Sequence, residues 1–139
     1  MPPASSRAGY SGTPLGKKLS LKPGMRVWFD AMQGSVLAGI DIPDLVYLAA
    51  PDPGIDAAHI FVTERADLEA KLSILRPLLQ PAGFIWVSWP KKASKVPTDI
   101  TEDAIRAVIL PSTDLVDVKV CAVDAVWSGL KLMIRKDRR

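Results

Sequence analysis

Phe84-Ile85-Trp86-Val87-Ser88-Trp89 is a run of β-branched and aromatic residues, interrupted only by Ser88, with no helical period, bounded by Pro81-Ala82-Gly83 on one side and Pro90 on the other. Such a run reads as a strand, and its lack of polar alternation places it inside a sheet covered on both faces. It is the expected fourth and central strand. On its N-terminal side, Ala58-His59-Ile60-Phe61-Val62 reads as the third strand. Between the two, Leu68, Leu72, Leu75 and Leu79 recur at i, i+4, i+7 and i+11, one apolar stripe of a helix. Thr63 is placed to cap that helix, Glu64 and Asp67 suit its positive first turn, and Pro77 kinks or ends it.

Further towards the N-terminus, Met25-Arg26-Val27-Trp28-Phe29 forms a first strand ending at Asp30, and Leu45-Val46-Tyr47-Leu48 a short second one closed by Pro51-Asp52-Pro53-Gly54. Gly16-Lys17-Lys18-Leu19 suggests a short helix stopped by Pro23-Gly24. Towards the C-terminus, a basic loop from Pro90 to Pro97 leads to a helix announced by Asp99 with Glu102, a capping-box spacing, with Ile105, Val108 and Ile109 inward and Pro111 ending it. The remainder alternates with period two: Val116, Val118 and Val120 against Asp117, Lys119 and Cys121, then Leu130, Leu132 and Ile134 against Lys131, Met133 and Arg135. A turn over 124–129 makes these a terminal antiparallel pair. Strands alternating with helices imply parallel strands with right-handed crossovers. The expected fold is α/β: a Rossmann-like open mixed sheet, mostly parallel with a C-terminal antiparallel hairpin, and helices on both faces.

With 139 residues, 48% of them apolar and 24% charged, the chain suits one compact domain, expected over 10–136 between a flexible tail at 1–9 and a basic end at 137–139. The longest apolar run, Leu45 to Ala50, is far short of the roughly 20 residues that span a bilayer, so no membrane association is expected. The start of the chain lacks the apolar segment of a signal peptide, which makes the cytoplasm the expected location. One cysteine, Cys121, and one histidine, His59, give no metal-ligand set. Charge is segregated along the chain: 1–26 carry five bases and no acid, 30–69 carry eight acids against Arg65 alone, and 131–139 carry five bases and one acid. Without a nucleic-acid motif beside it, this asymmetry leaves nucleic acid a partner to consider and not the favoured one.

Gly9-Tyr10-Ser11-Gly12-Thr13-Pro14-Leu15, Trp86-Val87-Ser88-Trp89-Pro90-Lys91-Lys92-Ala93-Ser94, and Val118-Lys119-Val120-Cys121-Ala122-Val123-Asp124 followed by Val126-Trp127-Ser128-Gly129-Leu130-Lys131 resemble the signature of the bacterial domain of unknown function 3052 family. That label implies no activity. Lys22-Pro23-Gly24-Met25-Arg26-Val27, the stretch from Leu75 to Gly83 and the final hairpin resemble class I S-adenosylmethionine-dependent methyltransferases. The second resemblance implies a glycine-rich cofactor turn after the first strand and an acid at the end of the second. Here the turn is Asp30-Ala31-Met32-Gln33-Gly34-Ser35, with one glycine, and the second strand runs into Ala49-Ala50, leaving Asp52 as the nearest acid. S-adenosylmethionine is therefore disfavoured, and the cofactor is unassigned.

In open α/β sheets ligands bind outside the carboxyl ends of the strands. That rule selects Asp30, Gln33 and Gly34, Thr63, and Trp89, Lys91, Lys92 and Ser94; a hairpin whose first strand runs parallel adds Trp127 and Ser128. Lys91, Lys92 and Ser94 suit a phosphate or carboxylate, and Trp89 and Trp127 offer flat faces for a ring. A solvated lysine loop over packed tryptophans is the competing reading. Cys121 reads as a buried, inert thiol, and His59 as a core or edge histidine, since no Ser or Cys partner is suggested by spacing. Three functions are compatible with this rim. The favoured one is a non-catalytic methyltransferase-like module binding an anionic small molecule or a protein partner. The alternatives are a methyltransferase whose cofactor is held by Asp30 and Asp52, and an RNA-binding domain.

Overall fold

The computed structural model describes residues 13–139, so the predicted tail at 1–9 and the first three residues of the expected domain lie outside the described residues. The elements are α1 (Leu15–Lys18), β1 (Arg26–Asp30), α2 (Gly34–Gly39), β2 (Val46–Tyr47), β3 (Ile55–Phe61), α3 (Arg65–Leu75), β4 (Leu79–Pro90), α4 (Glu102–Ile109), β5 (Leu115–Ala122) and β6 (Trp127–Ile134). One six-stranded sheet has the order β2-β1-β3-β4-β6-β5. The pairs β1–β2, β1–β3 and β3–β4 are parallel, and β6 is antiparallel to both β4 and β5. β5 therefore runs in the same direction as β4. The expected mixed sheet, central fourth strand and closing hairpin are all present.

Each face of the sheet buries its own core, because successive side chains of a strand point to opposite sides. Ala58, Ile60, Val62, Ile85, Val87 and Trp89 face α3 and α4, where Leu68, Leu72, Leu75, Ile105 and Ile109 meet them. Burying each of these leucines contributes about 1.5–3 kcal/mol, which outweighs the modest helix propensity of an eleven-residue segment. Ala57, Phe61, Phe84 and Trp86 face the other way, against Leu19, Val36 and Ile40 from the α1 and α2 segments. The indole Nε1–H of the buried Trp86 donates to Leu19 O at 2.9 Å, fixing the segment before β1 onto the middle of the sheet.

Several local expectations are corrected. α3 stops at Leu75 ahead of Pro77, so Leu79 opens β4 and does not extend the helical stripe. Pro81-Ala82-Gly83 is an irregularity inside β4: Ile55 pairs with Leu79, but Ala57 pairs with Phe84. Gly83 is required there, since a Cβ would lie 3.0 Å from both Asp56 O and Gln80 O. Thr101, not Asp99, caps α4, its side chain accepting from Ala104 N at 3.0 Å. Asp99 instead accepts from Arg65 N at 2.7 Å, supplying the cap of α3 that Thr63 does not. A register shift between Asp117 and Lys119 breaks the valine alternation of β5, so Val116 lies opposite Met133 whereas Val120 lies opposite Leu130 on the other face.

Candidate functional site

The carboxyl ends of β1, β3, β4 and β5 lie along one edge of the sheet, and the start of β6 returns to that edge. Trp89 lies opposite Ser128 and Pro90 opposite Trp127, and Lys91 N donates to Val126 O at 2.7 Å. Lys91 and Trp127 are thus neighbours, as a parallel β5 requires. Asp124 makes the turn before them, its Oδ1 accepting from Val126 N and Trp127 N, both at 2.8 Å.

The two tryptophans do not form one wall. Directly opposed residues of an antiparallel pair share a face. Trp89, with Ser128 across from it, points into the core beneath α3 and α4 and is buried. Trp127 points to the opposite face, where its ring meets Phe61 edge-on at 5.0 Å. Ser94 is also committed: its hydroxyl donates to Lys91 O at 2.6 Å and accepts from Val96 N at 3.3 Å, closing the Lys92–Ser94 turn. Lys92 is exposed and Lys91 half-buried. Of the predicted rim, Lys91 and Trp127 share a corner, Lys92 stands beside them on the loop, and Trp89 and Ser128 lie behind the sheet.

The remaining site residues have other partners. Asp30 forms an ion pair with Lys71 of α3, which also meets Asp67 at 3.0 Å. Burial opposes the charge of Lys71, but its hydrogen bonds to Asp30 and Asp67 and their charges outweigh that and raise its pKa. Gln33 is exposed and donates from Nε2 to Ala31 O at 3.1 Å, and Gly34 opens the six-residue α2. Thr63 follows β3, with its carbonyl accepting from Thr98 Oγ1 at 2.6 Å. Asp52 pairs with Arg26 at 3.1 Å, at the amino end of β1, so it stands at the edge opposite Asp30. The two acids offered for a cofactor are not brought together.

Two features were not read from the sequence. First, His59 Nε2 and Ser88 Oγ lie 2.6 Å apart, both buried, and His59 stacks on Phe61 with ring centroids 4.6 Å apart. Burial pushes the His59 pKa down to about 3, so the ring is neutral. The parallel register of β3 on β4, with Phe61 opposite Ser88, is the signal that finds this partner. Second, Tyr47, Phe29, His59, Phe61 and Trp127 form an aromatic row across the sheet near its carboxyl edge, with Tyr47–Phe29 centroids 5.7 Å apart and Phe29–His59 6.5 Å.

A basic cluster adjoins the Trp127 corner. Lys18 Nζ donates to Ala122 O at 3.1 Å, and Lys119 Nζ to Lys18 O at 3.4 Å. Burial raises the Cys121 pKa, while the charges of Lys18, Lys119 and Lys91 act in the opposite direction. Cys121 is thus a buried thiol that burial holds in its protonated form. Among the described residues neither Lys91 nor Lys119 makes an ion pair, and no group of three or more His, Cys, Asp or Glu is placed to hold a metal. A groove of about 540 Å³ between α3 and α4, lined by Leu72, Ser73, Pro77, Val108 and Thr113 among others, includes none of the predicted site residues. No described helix is long and apolar enough to cross a membrane.

Comparison with solved structures accounts for this arrangement of strands. An S-adenosylmethionine-dependent methyltransferase from Aquifex aeolicus is similar with a TM-score of 0.59 and 16% identity over 85% of this chain and 86% of its own. The mitomycin 7-O-methyltransferase MmcR gives 0.63 and 12%, over 87% of this chain and 53% of its own, and the magnesium protoporphyrin IX methyltransferase ChlM from Synechocystis PCC 6803 gives 0.55 and 12%, over 82% and 71%. The fold is a methyltransferase fold. Identities this low carry the fold alone. No family model and no curated protein matches the chain, so neither comparison supports the resemblance to the domain of unknown function 3052 family.

Proposed function

We propose that this chain is a non-catalytic module of methyltransferase fold that binds an anionic ligand at the corner of Lys91 and Trp127. The observation that carries the reading is that Lys18 and Lys119 meet at the end of β5, where Lys18 Nζ reaches Ala122 O, while Lys91 stands beside the aromatic Trp127, at the carboxyl edge where such sheets hold ligands. Ammonium groups attract a phosphate or carboxylate and oppose a sulfonium cation. The positions that would serve S-adenosylmethionine are otherwise engaged: Asp30 by Lys71, and Asp52 by Arg26 at the far edge. A protein partner bearing a carboxylate suits the same corner.

The fold likeness favours a second reading, a methyltransferase with an atypical cofactor loop. Calorimetry with pyrophosphate, ATP and S-adenosylmethionine separates the two. Binding of the phosphates, lost on changing Lys91 and Lys92 together to Ala with stability held within about half a kcal/mol, is the expected outcome. Micromolar binding of S-adenosylmethionine, worth about 8 kcal/mol, overturns it in favour of the second reading.

A further inference from the structure

β5 is an edge strand: β6 pairs with one side of it, and among the described residues no strand pairs with the other. An open edge presents a row of backbone donors and acceptors to any extended chain. Two β-branched residues on it, Val118 and Val120, are 47% and 53% exposed. On the face shared with Trp86, Lys119 stands directly opposite Lys131 of β6, a like-charge pair that weakens the sheet it belongs to. Lys131 lies 4.4 Å over the Phe84 ring and donates to Ser20 Oγ at 3.0 Å, and the charges of Lys119 and Lys22 both act on it. The basic segment before β1 and the basic strands of the hairpin therefore meet along one edge of the molecule.

We propose that the outer edge of β5 docks an extended acidic segment of a partner protein, which joins the sheet as a further strand. Its carboxylates lie beside Lys119, and its apolar side chains beside Val120. The pleat dictates this pattern. Lys119 and Val120 point to opposite faces, so a strand laid alongside presents alternate residues to each, and the complementary sequence alternates acidic with apolar. The Lys18 Nζ bond to Ala122 O occupies a carbonyl at the end of β5, so the strip runs over Val116 to Cys121.

Charge selects this occupant over the others, because Asp117, the one acid on the strip, is neutralised by Arg106 at 2.9 Å, which leaves the charge of Lys119. Residues 1–12 carry Arg7 and no acid, and are not complementary to the strip. A second copy paired through β5 brings Lys119 towards its own equivalent. A nucleic acid strand needs aromatic platforms for its bases; Leu115–Ala122 contains none, and the exposed Tyr47 lies on β2 at the other edge of the sheet. A lysine and a bulge are also how proteins blunt an edge against association. Blunting requires charge but leaves the two exposed valines without a role.

The inference is independent of the Lys91 corner, and its test uses different variants. A fluorescent peptide of alternating glutamate and valine is titrated with the intact chain by anisotropy, alongside two copies N-methylated at one or the other set of alternate amides, and an oligouridylate. Strand addition predicts that one methylated copy loses about tenfold or more in affinity while the other binds as the parent does. Amides of Val116 to Cys121 gain protection from hydrogen exchange, and Lys119→Glu shifts the preference to a lysine–valine peptide. No binding, equal binding of all three peptides, tighter binding of the oligouridylate, or self-association through β5 without peptide each overturns the proposal.

Discussion

The His59 imidazole and the Ser88 hydroxyl share a hydrogen bond of 2.6 Å between adjacent parallel strands, while Nδ1 of the same ring is buried with no partner among the described residues. An imidazole so placed is neutral, and charging it would strand a cation among Phe61, Phe29 and Trp86. Its folded pKa of about 3 lies below the ordinary 6.5. The unfolded chain thus binds the proton first as pH falls. The stabilisation is complete above pH 6.5 and is lost progressively down to about 3, at roughly 1.4 kcal/mol per pH unit. Urea denaturation at pH 7.5 and 4.5 should show the parent losing about 2–3 kcal/mol more than His59→Leu. Equal losses would show that His59 is accessible to protons in the folded state.

Arg76 and Asp114 join the end of α3 to the start of β5 through two hydrogen bonds of 2.7 and 2.6 Å. The hydrogen bonds from Arg76 and its charge hold the Asp114 carboxyl below its ordinary pKa. A depressed carboxylate contributes stability above its unfolded pKa and loses it as pH falls through the folded value. Both side chains are partly solvated, so Asp114→Asn should cost about 1 kcal/mol at pH 7. The difference from the parent should vanish in acid, which thermal melts across pH will measure.

Asp99 and Thr101 cap different helices, although only Ile100 separates them. Asp99→Ala should speed hydrogen exchange at the first amides of α3 and leave α4 unchanged, and Thr101→Ala should do the reverse, each at a cost of about 1 kcal/mol. A capping box built on Asp99 and Glu102 would give the opposite assignment.

Gly129 sits where a Cβ would come 3.1 Å from the Trp86 ring and 3.1 Å from Val123 Cγ2. Both neighbours are buried, so neither can yield cheaply. Gly129→Ala should destabilise the chain by about 1–3 kcal/mol, read as a lower urea midpoint with an unchanged slope.

Apolar periodicity sufficed for the strands and for the central place of the fourth, because uninterrupted runs such as Phe84 to Trp89 have only one home in an α/β domain. It did not suffice for the rim. Trp89 and Trp127 are both at the carboxyl edge, but which face each takes depends on the pairing of β4 with β6, a relation between segments far apart in sequence. The same dependence on register hid Ser88 from His59 and moved Val120 to the face opposite Val116. The caps misled for a related reason: Asp99 has the local spacing for α4 but is recruited by Arg65, 34 residues earlier. The charge map marked the segments that hold Lys18 and Lys131 but not Lys119, and only the fold shows that the two basic ends meet and that Lys119 joins them.

The fastening of the segment before β1 has a consequence for the order in which the molecule is completed. Its anchors are Trp86 for Leu19 O, Ala122 O for Lys18 and Lys131 for Ser20, separated along the chain by 67, 104 and 111 residues. These residues therefore leave the ribosome well before their partners and must wait for them. Closing such long loops costs entropy before any contact repays it, and contacts of this separation slow folding. Two of the three anchors of 15–22 belong to the hairpin, so the segment is fully fastened only when β5 and β6 are in place, and wherever it lifts away the indole nitrogen of Trp86 loses its acceptor and the face of the sheet around it opens to water.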